Sequence, residues 1–348
     1  MKARISTPRR ILILQTAFVG DVMLTLPLLQ TVKKLFPNAA LDFLAIPAAR
    51  NILETHPDIH QLIIYDKRKR DKGIIPFFRL IRRLRENRYD LAIVPHRSIR
   101  SVALVWAARI PLRIGFDRSA GRFLLNRIIP YRTGIHEINR NLHLLDPFGI
   151  AADEKVLPKL FFSDEDEQAV FEWMKRRQLN QLENLVALAP GSVWATKRWL
   201  PEYFARLAKM LKEAGFQIVL IGGEADVEVA RQVEQAISSP VFNAVGKFTI
   251  RQSAFLIRQA RLLVTNDSAP QHLAAAVGTP VVAIFGPTVP AFGFYPYGER
   301  DRVVEIGELP CRPCSIHGGQ KCPISTFECM KKLTPERVFG EAQQILKG

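Results

Sequence analysis

Residues 261–288 read "RLLVTNDSAPQHLAAAVGTPVVAIFGPT", and this stretch decides the fold. "RLLVT" (261–265) is a short apolar run, and "PVVAIFG" (280–286) is a second. A helix fits between them, starting after Asp267. Strand, helix, strand at this spacing is a βαβ unit, and a series of such units builds a parallel, doubly wound sheet.

The same alternation extends outward. "FFSDEDEQAVFEWMKRR" begins a helix at Ser163, with acids in its first turn. "LVALAP" (185–190) is a strand, followed by a loop and a helix from Pro201, a residue suited to a first helical turn. "FQIVLIG" (216–222) follows, then a helix from about Ala225, and "TIRQ" (249–252) resembles a capping box ahead of "SAFLIRQA". An earlier series carries "RILIL" (10–14), "ALDFLAI" (40–46), "QLIIYD" (61–66), "DLAIVP" (90–95) and "RIPLRIGFD" (109–117), separated by helical segments. The expected architecture is α/β, with two doubly wound, Rossmann-like domains facing a central cleft. Residues 1–160 form the first domain and residues 161–332 the second. "LTPERVFGEAQQILKG" (333–348) forms a closing helix.

Length and composition agree. A chain of 348 residues suits two domains, and 48% hydrophobic residues can fill two cores. No stretch of about 18 uncharged apolar residues occurs, so no membrane-spanning helix is expected. "MKARISTPRRILIL" mimics a signal peptide, but its apolar run is short, Gln15 and Asp21 follow it, and no small-residue cleavage site stands at the right place. It reads as the first strand of a cytoplasmic protein.

Charge is divided unevenly. Residues 1–160 hold 28 Lys and Arg against 13 Asp and Glu, whereas residues 161–348 hold 21 against 20. The first half should face an anion: nucleic acid, a phospholipid surface or a phosphorylated acceptor, with a merely solvated basic face as the plain alternative. Its densest part is "DKRKRDKGIIPFFRLIRRLRENRYD" (66–90). There Lys67, Arg68, Lys69 and Arg70 precede a helix with Phe77, Leu80, Ile81 and Leu84 at helical spacing and Arg79, Arg82, Arg83 and Arg85 between them. The apolar stripe reads as packing on its own sheet, and the arginines and the loop read as binding an anionic membrane surface. No RNP, KH-like or zinc-finger pattern occurs, which argues against nucleic acid.

Chemistry gathers where the strands of the second half end, since ligands of open α/β sheets sit beyond the carboxyl ends of the strands. "APGSVWATKRW" (189–199) places Ser192, Thr196 and Lys197 there, and "IGGEAD" (221–226) places Glu224. "GKFT" adds Phe248, and "TNDSAPQH" adds Asp267, Ser268, Ala269 and His272. A helix beginning near Ser268 offers backbone N–H groups to an anion. Lys197 can neutralise a diphosphate. Glu224 can accept from ribose hydroxyls. Asp267 reads equally as a helix cap, and His272 as a buried, hydrogen-bonded histidine. In the first half, Gly20 is followed by Asp21 where a nucleotide site would show glycines, and a carboxylate there would repel a phosphate.

"GDVMLTLPLL" (20–29), "APGSVWATKRW" (189–199), "GGEAD" (222–226) and "TNDSAPQHLAAAVGTPVVAIFGPT" (265–288) resemble the ADP-heptose:lipopolysaccharide heptosyltransferases, glycosyltransferase family 9, over essentially the whole chain. The resemblance implies the GT-B fold, with the acceptor on the first domain and the sugar nucleotide on the second. It also implies a closing helix that crosses back to the first domain. The implied reaction is inverting transfer of heptose from ADP-L-glycero-D-manno-heptose to the inner core of a lipid A-linked acceptor, with no cofactor required for transfer. By the same resemblance Asp21 is the general base and Lys197 holds the donor phosphates. Ser192, Ser268, Ala269 and His272 contact the donor, Glu224 binds ribose and Phe248 lies near adenine. Ala269 departs from the pattern, which has glycine there. The rival readings are another GT-B enzyme, with a different sugar nucleotide or a protein acceptor, and a nucleic-acid-binding protein using the basic half.

All four cysteines, Cys311, Cys314, Cys322 and Cys329, lie in "CRPCSIHGGQKCPISTFECM". A C-x2-C pair with two further cysteines fits a tetrathiolate site for zinc or iron as well as it fits reduced, unligated thiols.

Overall fold

The computed structural model describes residues 7–150, 155–237 and 240–348, so the first six residues of the signal-like N-terminus lie outside it. The chain divides between Phe161 and Phe162 into two units.

In the first unit six parallel strands form one sheet: β1 (Arg10–Gln15), β2 (Ala40–Ala45), β3 (Gln61–Ile64), β4 (Leu91–Val94), β5 (Leu112–Phe116) and β6 (Arg127–Ile129), in the order β3-β2-β1-β4-β5-β6. The central strands are apolar on both faces because helices cover both; Ile11, Leu12, Ile13 and Leu14 are all fully buried. β1 and β4 are neighbours whose chains leave in opposite directions, so the switch point of this sheet lies beyond their carboxyl ends. The basic segment forms the helix Ile74–Glu86, which buries Leu80, Ile81 and Leu84 as their spacing predicts.

The second unit repeats the plan with β7 (Leu185–Ala189), β8 (Gln217–Leu220), β9 (Phe242–Asn243), β10 (Leu262–Asn266), β11 (Val281–Phe285) and β12 (Arg302–Glu305), in the order β12-β11-β10-β7-β8-β9, again all parallel. Its switch point lies between β7 and β10. Ser163 caps the helix Asp164–Arg176 and Thr249 caps Ile250–Arg258, each in a complete capping box. The closing helix, Pro335–Lys347, was expected to return to the first half. Val338, Ala342, Ile345 and Leu346 are buried in the core built on β7, β8, β10 and β11, so the helix packs within the second unit. No helix among the described residues is long and apolar enough to cross a membrane.

Candidate active site

Two loops meet at the switch point of the second sheet. The first leaves β7 through Pro190 and Gly191, and the second leaves β10 through Asp267 and Ser268. Asn266 ties them together: its amide donates to Pro190 O at 2.9 Å, and its side-chain carbonyl accepts the Trp199 N–H at 2.9 Å. A Cβ on Gly191 would run into the Asp226 carboxylate, which would have to move. Asp226 in turn accepts the Gly223 N–H at 3.0 Å and closes the turn Glu224–Asp226 after β8.

Lys197 is the electrostatic centre of this site. Its ammonium donates to Asp267 Oδ2 at 2.6 Å, and the two side chains are only 12% and 6% exposed. Asp267 also accepts from Thr288 Oγ1 at 2.6 Å and from Gln271 Nε2 at 3.0 Å. Asp267 is therefore not the helix cap that was considered for it. The N-cap of the helix Ala269–Val277 is Ser268, whose side chain makes no capping bond. Pro270 supplies no N–H, and among the described residues the N–H groups of Ser268 and Ala269 donate to no backbone carbonyl, so the positive end of the helix is open to an anion. Asp267 fixes the Lys197 ammonium through this pair.

The remaining sequence-derived residues lie around this centre. His272 is buried one turn into the helix, and burial lowers its pKa to about 4, with Lys197 adding to the effect and Asp267 opposing it; the ring is neutral near pH 7. Ser192 Oγ accepts the Trp194 N–H at 3.3 Å. Thr196 is buried and turned toward the cysteine segment, where its hydroxyl accepts the Gly319 N–H at 2.8 Å. Glu224 is exposed beside Gly246, whose φ of +70° and missing Cβ let the two loops approach. Phe248 is half-buried, edge-on to Trp173 at 5.4 Å.

A second set of residues surrounds the switch point of the first sheet. Asp21 lies in the third position of the short helix Val19–Met23, and its carboxylate accepts the N–H of the N-cap residue Phe18 at 3.1 Å. It is thus a back-bonding partner, not the N-cap itself. The helix Glu137–Leu142 that follows β6 brings Glu137 and Arg140, a buried ion pair; Arg140 also donates to Arg132 O at 2.7 Å and Ile135 O at 2.9 Å. Burial pushes Glu137 up to about 7, Arg140 pulls it down, and the charge of Asp21 pushes it further up, so the two carboxyls sense each other.

Cations gather at the same strand ends. Arg97 and Arg118 approach the face of Tyr131 at 4.4 and 5.4 Å, and Arg140 does so at 4.4 Å. Lys67 turns inward and donates to Thr16 O at 2.7 Å; burial lowers its pKa, with help from Arg68 and Arg100. His96, bonded to Ser101 Oγ at 2.8 Å, is lowered to about 4 by burial and by Lys67 and Arg97. Among the described residues, Lys67, Arg68, Arg97, Arg100 and Arg118 form no ion pair with a carboxylate. Of the basic loop read as a membrane contact, Lys67 is therefore occupied at the strand end, and Arg70 pairs with Asp71 at 3.0 Å. Arg68 and Lys69 are the exposed remainder.

Residues 77–321, well over half of the chain, match the family "Glycosyltransferase family 9 (heptosyltransferase)". The chain belongs to glycosyltransferase family 9. Lipopolysaccharide heptosyltransferase 2 of Salmonella typhimurium is 29% identical over 97% of this chain and 98% of its own length. Lipopolysaccharide heptosyltransferase 3 of Escherichia coli K12 is 30% identical over 77% of this chain and 80% of its own. Among solved structures, E. coli ADP-heptose lps heptosyltransferase II superposes with a TM-score of 0.79 at 27% identity, covering 97% of this chain and 98% of that one. A family 9 glycosyltransferase from Veillonella parvula gives 0.88 at 24% identity, with 97% of each chain covered. The fold is GT-B, and the protein is a glycosyltransferase.

In this family 9 enzyme the structure brings together Ser192, Thr196, Lys197, Asp267, Ser268, Ala269 and His272 at one switch point, with Glu224 and Phe248 on adjoining loops. The cysteines behave otherwise. Among the described residues, no group of three or more His, Cys, Asp or Glu side chains is set to hold a metal ion. Cys314 Sγ donates to Cys311 O at 3.2 Å instead. Burial raises the thiols of Cys314 and Cys329, the latter to about 11, and the neighbouring cysteines add to both shifts, so these two are protonated near pH 7. Glu137, Arg140, Tyr131, Arg97 and Arg118 were not singled out from sequence. Their one signal was position, since Arg97 and Arg118 follow β4 and β5 directly.

Proposed function

We propose that this enzyme transfers heptose from ADP-heptose to the inner core of a lipid A-linked oligosaccharide, with inversion at the anomeric carbon. One observation carries the donor half: the nearly buried Lys197–Asp267 pair beside an uncapped helix N-terminus at the switch point of the second sheet. A fixed cation and a helix dipole aimed at one spot suit the diphosphate of a nucleotide sugar. The heptosyltransferase names of the full-length relatives support ADP-heptose as that donor.

The chemistry then follows from the chain's own groups. The Asp21 carboxylate takes the proton of the acceptor hydroxyl as that oxygen attacks C1 of the heptose. The bond from C1 to the phosphate oxygen breaks, and its electron pair leaves with ADP, where Lys197 and the helix beginning at Ala269 stabilise the growing charge. Arg97, Arg100, Arg118 and Lys67 hold acidic groups of the acceptor core. Glu224 accepts from ribose hydroxyls, and Phe248 packs near adenine.

The enzyme works at the cytoplasmic face of the membrane that carries its acceptor. Ile74, Ile75 and Phe78, exposed at 73%, 73% and 62% on the basic helix Ile74–Glu86, support this, together with Arg68 and Lys69 ahead of it. The test is transfer to a heptose-deficient lipid-linked core, followed by mass spectrometry, with ADP-heptose beside UDP- and GDP-sugars. A heptose-mass product from the ADP donor alone is expected. Turnover with only a UDP- or GDP-sugar would overturn the reading.

A further inference from the structure

The cysteine segment has no role in the chemistry above, yet it fastens on both ends of the central ion pair. At its tip, the Thr196 N–H donates to Gly319 O at 2.9 Å, and the Gly319 N–H donates back to Thr196 Oγ1 at 2.8 Å. Gln320 Nε2 donates to Val193 O at 3.3 Å, and His317 stacks on Trp194 with centroids 6.4 Å apart and planes 11° apart. Gly318, at φ +83°, lies against the stem of Lys197: a Cβ built on it would stand 3.2 Å from Lys197 Cγ and 3.1 Å from Thr196 Oγ1.

At its root, the Cys314 N–H donates to Pro287 O at 3.0 Å, and Arg312 donates to Thr288 O at 2.8 Å. Thr288 in turn donates its hydroxyl to Asp267 at 2.6 Å. A closed circuit therefore runs from Lys197 through Asp267, Thr288, Arg312 and the strap back to Gly318. Such a circuit answers a local need. Lys197 ends a turn of only three residues, Ala195–Lys197, and a lysine stem has four flexible bonds.

We propose that residues 312–320 form a positioning strap that holds Lys197 in its donor-binding geometry, with Gly318 as the positioning residue that touches its stem. The inference rests on the reading that Lys197 takes the donor diphosphate. Pre-organising a flexible cation raises affinity by removing the cost of ordering it on binding.

The test is a double-mutant cycle between Gly318→Ala and Lys197→Ala, read by ADP affinity in calorimetry and by steady-state kinetics. Gly318→Ala should weaken ADP and raise the donor KM by about tenfold, the scale expected of displacements of a fraction of an ångström at a binding group. The acceptor KM should stay within about twofold. Gly307→Ala, a change into open space just ahead of the strap, should alter neither. In the Lys197→Ala background, Gly318→Ala should cost nothing more. Should Gly318→Ala fail to fold, Thr196→Val removes the acceptor of the Gly319 N–H and should give the same donor-specific pattern. Unchanged ADP affinity in the folded strap variant, or an equal tenfold loss without Lys197, overturns the proposal. If Lys197→Ala alone leaves ADP binding intact, the donor reading of Lys197 fails, and the strap inference falls with it.

Discussion

Replacing Asp267 by Asn tests the buried pair at the centre of the proposed donor site. The carboxylate serves three donors at once: Lys197 and Thr288 at 2.6 Å each and Gln271 at 3.0 Å. An amide keeps one acceptor oxygen but turns an NH₂ toward at least one of these donors. It also leaves the Lys197 ammonium, 12% exposed, without its counter-charge. Breaking a buried pair from one side costs about 3–5 kcal/mol. The remaining amide oxygen reduces that to about 2–3 kcal/mol. For a unit of this size each kcal/mol moves the midpoint by roughly 2–4 °C, so the expected drop is about 4–12 °C. Lys197→Met in the same chain should recover part of the loss, because it replaces the stranded charge by apolar volume. ADP should raise the midpoint of Asp267→Asn more than that of the wild type, since its diphosphate supplies the missing counter-charge. The assay is thermal unfolding with and without ADP. A midpoint within about 1 °C of wild type, or an ADP shift no larger than wild type's, would refute the reasoning.

Stability should also depend on pH with opposing contributions. His56, His96 and His272 fold with pKa values lowered to about 4, so the stability they confer is present above about 6.5 and is lost as pH falls toward 4, at about 1.4 kcal/mol per pH unit for each group. Glu137 is raised to about 7, so its contribution has the other sign: present below the ordinary carboxyl range and lost as pH rises to about 7. Urea unfolding across pH 4–8 should show Glu137→Gln steeper in acid loss than wild type; parallel curves would contradict the assignment. On vesicles containing anionic lipid, Arg68→Gln with Lys69→Gln, or Ile74→Ser with Phe78→Ser, should weaken co-sedimentation, and added salt should weaken it only while the two basic residues remain. Binding indifferent to all of these would leave the basic helix a solvated surface.

The fold was legible where strands are central and long. β1, β7, β10 and β11 are runs buried on both faces, and their apolar character survives without any knowledge of neighbours. β6, β9 and β12, of three, two and four residues at or near sheet edges, carried too little pattern to stand out from loops. The cluster around Lys197 was legible because two contiguous motifs supply most of it and both follow central strands. The first unit's cations were not, because Lys67, Arg97 and Arg118 come from three separate loops and Arg140 from the helix Glu137–Leu142, and only the sheet brings them together. Asp267 was readable as polar and well placed, but its service to Lys197 spans 70 residues. The cysteines invited a metal reading from spacing alone, whereas the glycines between them, Gly318 and Gly319, make the contacts that reach the site.

The account's central claim divides the work between a base on the first unit and a donor site on the second. The most direct measurement pairs turnover of a lipid-linked core with ADP affinity in Asp21→Asn. The amide removes the base while keeping an oxygen that can accept the Phe18 N–H. A fall in kcat of about 10²–10⁴-fold is expected for loss of a positioned acid–base group, with ADP affinity within about twofold of wild type. Turnover near that of the wild type would contradict the account, leaving Asp21 a helix-capping side chain and the proton without its acceptor.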